Sequence, residues 1–211
     1  VSLAQELDKE GWDVSVRNPG GWSTLGWFTD PILSKMLERS TGDLASLIIH
    51  EMAHATIFVK DSVDFTENLA SFIGDRGAEQ FLIDRYGTGS PEYNEFVFED
   101  HDYVLFASHM LRGASYLDSL YQQVAAYSEE DKKVAKDSAI AHIVMMADTL
   151  SFLSPKKPSE RFRKSLPNNA YFMMYRHYQS GQEDLMREWK QSFDGDLRKY
   201  IRFLSDAYPY L

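Results

Sequence analysis

The sequence predicts a mainly α-helical fold of the α+β class, with a small β element near the N-terminus. Two observations carry this prediction. Helical patterns, bounded by helix-start and helix-stop residues, follow one another over most of the 211 residues. β-branched and aromatic residues concentrate in one short region before residue 29, where they indicate strands. The composition, with 44% hydrophobic and 26% charged residues, is typical of a folded globular protein.

The β element follows a short N-terminal helix that begins at about residue 2. Two segments, 12–17 and 22–28, are rich in strand-forming residues and flank an NPGG turn at residues 18–21, which predicts a hairpin. The second strand could bind an extended peptide along its edge through main-chain hydrogen bonds. An ordinary buried hairpin strand is the alternative. The candidate substrate-binding residues on this strand are Thr24, Leu25 and Gly26.

The rest of the chain is predicted to be helical. Asp30 and Pro31 have the chemistry of an N-cap and a first helical residue, opening a short helix to about Arg39. Asp43 is the predicted N-cap of a longer helix that continues to about Val59. We expect one domain over the whole chain, with one linker-like stretch marked by Pro155, Pro158 and Pro167. The remaining predicted helices cover residues 66–86, 91–127, 129–151, 168–180, 182–192 and 195–207.

Charge and composition exclude several classes of function. The formal net charge is −10, whereas binding to nucleic acids or anionic membranes requires a basic surface. The charge therefore argues against both kinds of partner. No apolar run reaches the ~18 residues of a membrane-spanning helix. The chain has no cysteine, which excludes disulfides, cysteine-ligated zinc and thiol nucleophiles. Any metal site must therefore use carboxylates and the six histidines.

The first residue is Val1, and a helical pattern starts immediately after it. We therefore expect a processed chain or the C-terminal part of a longer one. A targeting signal would lie upstream of such a start, so the sequence leaves a cytoplasmic and a periplasmic location equally open. It also leaves the oligomeric state open.

One motif in the chain is typical of a metal-binding catalytic site. Residues 50–54 read H-E-M-A-H, an H-E-x-x-H sequence inside a predicted helix. Residues four apart lie on one face of a helix, so His50 and His54 can reach a single cation. Glu51 lies about 100° further round the helix, where it can act as a general base without ligating. Two ordinary histidines on a helix are the alternative.

A catalytic zinc ion needs a third protein ligand and leaves a fourth position open. Glu67 follows His54 by 13 residues, near the start of the next predicted helix, and a short turn would fold that helix back against the first. It is the predicted third ligand, with Asp61 and Asp64 as second choices because they fall in the turn. Stabilisation of its own helix terminus is the alternative role for Glu67.

These motifs resemble those of the bacterial putative aminopeptidase family of zinc metallopeptidases. Residues 22–31, WSTLGWFTDP, are similar to the family segment YSTLGWFDDP. The family's H-E-L-A-H and N-E-x-F-A segments correspond in order to residues 50–54 and 66–70, and its NNA segment to residues 168–170. The resemblance spans residues 11–204 and covers the C-terminal part of the family pattern. Trp22 replaces a family Tyr and Thr66 a family Asn, which affects the expected substrate pocket and leaves the metal ligands intact.

The resemblance implies a zincin-like helical domain of the Glu type that hydrolyses peptides with Zn²⁺. It implies Tyr178 as the donor that stabilises the oxyanion, although an aromatic core stripe with Tyr171 and Tyr175 is an equal alternative. Asn168 and Asn169 could bind the substrate backbone or cap the helix that begins there. The three other histidines are expected to have core or surface roles: His101, His109 and His142.

The predicted function is therefore zinc-dependent hydrolysis of peptides. The aminopeptidase assignment comes from the resemblance alone, because no sequence motif for capturing a free N-terminus is evident, and endopeptidase activity stays open. The alternative is a helical binding or structural module that keeps a zinc site without turnover. A carboxylate that orients one of the zinc-binding histidines is also expected, with Asp75 as one candidate.

Overall fold

A computed structural model describes residues 3–16, 33–60, 62–155, 157–179 and 181–209, with the backbone alone for residues 176–179. This part of the chain is mainly helical, as predicted, and contains no β-sheet. None of the described helices has both the length and the apolar character that crossing a membrane requires. The helices are α1 (Leu3–Lys9), α2 (Thr41–His54), α3 (Val63–Tyr86), α4 (Pro91–Gln123), α5 (Glu129–Met146), α6 (Asn169–Gln179), α7 (Gln182–Phe193) and α8 (Leu197–Ala207).

The predicted hairpin is not supported. Residues 12–16 form no strand, and the segment 17–32, which holds the turn and the second strand, lies outside the described residues. Residues 13–16 are instead held by side chains of the helices. Lys136 Nζ lies 2.6 Å from Asp13 Oδ2, and Asn168 Nδ2 donates to the Val14 carbonyl at 2.9 Å. A β-rich composition without a paired strand therefore yields a segment without regular secondary structure, anchored by side chains.

Helix α2 differs from its prediction at both ends. The N-cap is Ser40 and not Asp43, because the Ser40 hydroxyl accepts a hydrogen bond from the Asp43 amide at 3.1 Å. The helix ends at His54 and not near Val59. Ile57 forms an isolated antiparallel bridge with Pro209, and the next amide donates to the Tyr208 carbonyl. The β-branched residues after the helix thus pair with the C-terminal end of the chain and do not continue the helix.

The other helices agree with the prediction to within five residues at each end. Helix α3 begins at Val63, three residues early, so Glu67 lies in its second turn. The short helix predicted to end near Arg39 is a single 3₁₀ segment, Ser34–Glu38, and residues 30–31 lie outside the described part. Further 3₁₀ turns cover Ala147–Thr149 and Pro158–Phe162, the second of them within the predicted linker-like stretch.

The chain divides into two compact units. The first comprises residues 1–17 and 98–177, and its core contains Met110, Ile140 and Phe172, all at most 2% exposed. The second comprises residues 18–97 and 178–211. Its largest core cluster packs α3 against α7 and α8 through side chains that include Phe72, Leu185 and Tyr200. The single domain over residues 1–211 stays a prediction.

In the first unit, Asp102 anchors the loop that follows α5. Its carboxylate accepts hydrogen bonds from the Leu153 amide (2.7 Å), the Ser154 amide (3.0 Å) and the Ser154 hydroxyl (2.5 Å). Burial alone would raise the pKa of Asp102, but these hydrogen bonds outweigh it and hold the pKa below its ordinary value. The charged form is therefore the one that the folded loop binds.

Replacing Asp102 with Asn is expected to lower the free energy of unfolding by about 1–3 kcal/mol at pH 7, because buried amides lose a charged acceptor. The pKa is depressed in the folded state, so this stabilisation is complete above the ordinary aspartate pKa of about 3.9 and is lost as the pH falls through the folded pKa. Urea unfolding at pH 7 and at decreasing pH measures it. Glu10→Gln, an exposed carboxylate, is the control, and a difference that stays constant to pH 2 would contradict the assignment.

Candidate metal centre

The candidate site forms where α2 and α3 pack against each other in the second unit. The face of α3 that carries Glu67 continues through Ser71, Gly74 and Ala78, four, seven and eleven residues later. These small residues are buried and let α2 approach closely. A Cβ atom on Gly74 would lie 2.7 Å from the Ser46 carbonyl oxygen, closer than van der Waals contact allows. The side chain of Glu67 is thereby directed towards α2.

A polar contact and an apolar contact link the same two helices. The Ser46 hydroxyl donates to Asp75 Oδ1 at 2.7 Å. The apolar contact joins Ile49 of α2 and Gly77 of α3, because a Cβ atom on Gly77 would lie only 2.9 Å from Ile49 Cδ1. Asp75, a candidate for orienting a histidine, thus bonds to a serine of α2.

The three predicted ligands come together at the end of α2. His50 Nε2 and His54 Nε2 lie 3.0 Å apart, with the two rings perpendicular to within 10°. Glu67 places Oε2 3.5 Å from His50 Nε2 and Oε1 3.4 Å from His54 Nε2. One ligand atom from each residue lies within 4.8 Å of the other two, so this group could hold a metal ion. Among the described residues it is the one such group of three or more.

The protonation state of His50 favours ligation. Burial lowers the pKa of His50, the neighbouring His54 lowers it further, and Glu67 opposes the shift. The neutral imidazole, which is the form that binds metals, is therefore the favoured state of His50 at neutral pH. Both histidine side chains are largely buried, whereas Glu67 is 57% exposed, so the group opens to solvent on the carboxylate side.

Ser71 is a contributor that the sequence analysis missed. Its hydroxyl lies 3.4 Å from His50 Nδ1, the ring nitrogen on the far side from the metal-facing Nε2. A proton on Nδ1 donated to Ser71 leaves Nε2 free to ligate. The signal available in the sequence was the spacing of four residues between Glu67 and Ser71, which places both on one helix face.

The other predicted site residues are dispersed. Glu51 is half-buried on α2, next to His50 in sequence. Asp64 lies one helical turn before Glu67, while Asp61 lies outside the described residues. The side chain of Tyr178 and the residues Thr24, Leu25 and Gly26 also lie outside them.

Asn168 and Asn169 belong to the first unit, where their side chains have structural partners. Asn168 Oδ1 accepts from the Tyr171 amide at 3.2 Å, which caps α6 as the alternative interpretation predicted. Asn169 Oδ1 accepts from the Tyr121 hydroxyl at 2.6 Å. Tyr175 packs in the core of this unit, and burial raises its pKa. The predicted roles of Asn168 and Asn169 in substrate binding stay predictions.

Comparison with known proteins identifies one family. The family described as "Putative aminopeptidase" matches residues 1–207, nearly the whole chain. Curated proteins gave no match. Solved structures gave none either. The family predicted from the motifs is therefore confirmed at this level of description.

Proposed function

The chain belongs to the putative aminopeptidase family, and on this basis we propose that it hydrolyses peptides with a zinc ion held by His50, His54 and Glu67. The observation that carries the proposal is the convergence of these three side chains from two helices. The family to which the chain belongs implies a peptide substrate. The spacing of the ligand atoms and the chemistry of the donor set support zinc.

The spacing suits a tetrahedral ion. Zinc–ligand bonds of about 2.0–2.1 Å place neighbouring ligand atoms of a tetrahedron about 3.3–3.5 Å apart. The two histidine Nε2 atoms lie 3.0 Å apart, and each lies 3.4–3.5 Å from a different carboxylate oxygen of Glu67, so either oxygen could complete the group. Two imidazoles and one carboxylate form a common donor set of catalytic zinc sites, with one position left open. A bound zinc ion supplies Lewis acidity, which polarises a peptide carbonyl and makes water acidic enough to attack at neutral pH.

The chain's own residues account for the proton movements. Glu51 follows His50 by one residue, so its side chain leaves the helix about 100° further round than that ligand, and it is not one of the three grouped ligands. As general base it takes a proton from the attacking water while the water oxygen bonds to the carbonyl carbon. It then gives that proton to the amide nitrogen as the carbon–nitrogen bond breaks. Ser71 keeps the His50 ring oriented.

The proposal is tested by metal analysis together with a peptidase assay. Purified protein is expected to contain about one zinc ion per chain, to hydrolyse unblocked peptides, and to lose activity with a chelator and regain it with zinc. Zinc without hydrolysis would support the alternative, a binding module without turnover. Protein that neither contains nor takes up zinc would contradict both.

Replacing Glu67 with Ala is expected to weaken zinc binding by more than about 100-fold. Loss of a group that merely orients a ligand already weakens binding about 10- to 100-fold, and a direct ligand contributes more. Competition with a chromogenic chelator measures the affinity. Asp64→Ala removes a carboxylate one turn earlier on α3 and is the matched control, expected to bind zinc as the wild type does. Zinc loss in the control alone would transfer the ligand role to Asp64.

A further inference from the structure

The residues that follow α8 contact the connection between the two helices that carry the predicted metal ligands. The Tyr208 carbonyl accepts a hydrogen bond from the Phe58 amide at 3.1 Å, and Pro209 forms an antiparallel bridge with Ile57. Ile57 follows His54, the last residue of α2, by only three residues. Backbone contacts with the far end of the chain therefore fix the segment that leaves α2.

Tyr208 also contacts the second of these helices. Its ring packs edge-on against the ring of Phe65 in the first turn of α3, with the ring centroids 6.3 Å apart and the ring planes at 66°. Phe65 lies two residues before Glu67. Tyr208 thus contacts both arms of the helical hairpin that carries the ligands, the exit of α2 through its carbonyl and the start of α3 through its ring.

The position of Tyr208 is set in turn by α8. The Tyr208 amide donates to the Leu204 carbonyl at 2.8 Å, at the C-terminal end of that helix. Leu204 is 2% exposed and belongs to the core cluster that also contains Ala53 and Ile57. Because a buried core anchors α8, the helix can hold Tyr208 against the hairpin.

The ligand geometry depends on this end of the hairpin. The close approach at Gly74 holds α3 against α2 at the level of Ser46 and His50. His54 lies one helical turn nearer to the connection, and its Nε2 is 3.4 Å from Glu67 Oε1. Metal–ligand distances in a functional site vary by only about 0.2 Å. A small shift of the connection would therefore separate His54 from Glu67 by more than zinc binding tolerates.

We propose that Tyr208 is a positioning residue for the metal centre: it holds the connection between α2 and α3 so that His54 and Glu67 face one ion. Tyr208 follows the residues 1–207 that the family match covers, so the match assigns it no role. The inference rests on the proposed function for the identity of the metal ligands alone, and it requires no turnover.

The zinc affinity of three variants, measured by competition with a chromogenic chelator, tests the inference. A chain that stops at Ala207 loses both contacts and should bind zinc about 10- to 100-fold more weakly, the usual loss when a group that orients a ligand is removed. Tyr208→Ala keeps the carbonyl and loses the ring, so we expect binding about 3- to 10-fold weaker, as loss of one aromatic pair predicts. Tyr208→Phe keeps both contacts and should bind zinc as the wild type does.

The control variant and a second measurement separate positioning from stability. Tyr116→Ala removes an exposed tyrosine of α4 in the first unit and should leave zinc affinity unchanged. Circular dichroism verifies that each variant is folded under the assay conditions. Co²⁺ bound in place of zinc reports the ligand geometry through its visible absorption, which should change in the shortened chain and in Tyr208→Ala and not in Tyr116→Ala.

Tyr208→Ala decides the question if the shortened chain does not fold, because Tyr208 is 36% exposed and its replacement leaves the core intact. Wild-type zinc affinity and an unchanged cobalt spectrum in folded Tyr208→Ala would overturn the inference. Equally weakened binding in Tyr208→Phe would also overturn it, since the effect would then belong to the hydroxyl group. Wild-type protein that binds neither metal would contradict the proposed function itself, and the inference with it.

Discussion

Replacing Glu51 with Gln is expected to lower the rate of peptide hydrolysis by about 10²- to 10⁴-fold while zinc stays bound. The amide of Gln matches the size of the carboxylate but cannot accept a proton, and positioned general bases contribute a factor of this size. The variant leaves His50, His54 and Glu67 in place, so the ligand set is unchanged. Steady-state kinetics and zinc content, measured on the same preparation, give the two quantities.

The control for this variant is Asp43→Asn, which changes a carboxylate in the first turn of α2, two turns or more from the histidines. It should leave both the rate and the zinc content as in the wild type. Wild-type hydrolysis by Glu51→Gln would remove Glu51 from the mechanism. Loss of zinc together with activity would show that the residue acts on the metal site and not on the proton.

Replacing Gly74 with Val is expected to reduce both stability and zinc affinity. A Cβ atom at this position would lie 2.7 Å from a backbone oxygen of α2, and two further methyl groups add to the overlap. Overpacking of this kind lowers the free energy of unfolding by about 1–3 kcal/mol. Because the overlap pushes α3 away from α2, it also moves Glu67 away from the two histidines. Urea unfolding and zinc titration of the folded protein measure the two effects.

Gly113→Val separates the two effects. Gly113 belongs to the first unit, where a Cβ atom would lie 2.8 Å from Ile143 Cγ2. This variant should lose stability to a similar degree but bind zinc as tightly as the wild type. If Gly74→Val also retained wild-type zinc affinity, the close approach of α2 and α3 would not be what brings the ligands together.

The features that the sequence predicts are those set by local spacing. Helical periodicity predicted helices α2 to α8, with ends that agree to within five residues, because their apolar faces recur within each segment. The motif at residues 50–54 placed two histidines on one face for the same reason. Glu67 was within reach of prediction because the turn before α3 is short and leaves few carboxylates to choose from.

The features that were missed depend on partners far away in the chain. Helix α2 ends at His54 because Ile57 pairs with Pro209, about 150 residues later. Residues 12–16 form no strand because their contacts come from Lys136 and Asn168. Ser71 is an ordinary helical residue by pattern, and only the packing of α3 against α2 shows that it faces His50.

The early end of α2 has an electrostatic consequence. Because the helix stops at His54, both histidines lie in its last turn and a half, close to the carbonyl groups of its C-terminus. The aligned peptide dipoles give that terminus a partial negative charge of about half an electron, which attracts cations. A divalent ion held by the two imidazoles would therefore interact favourably with the backbone as well as with its ligands. The main chain of α2 itself would then contribute to the affinity for the ion.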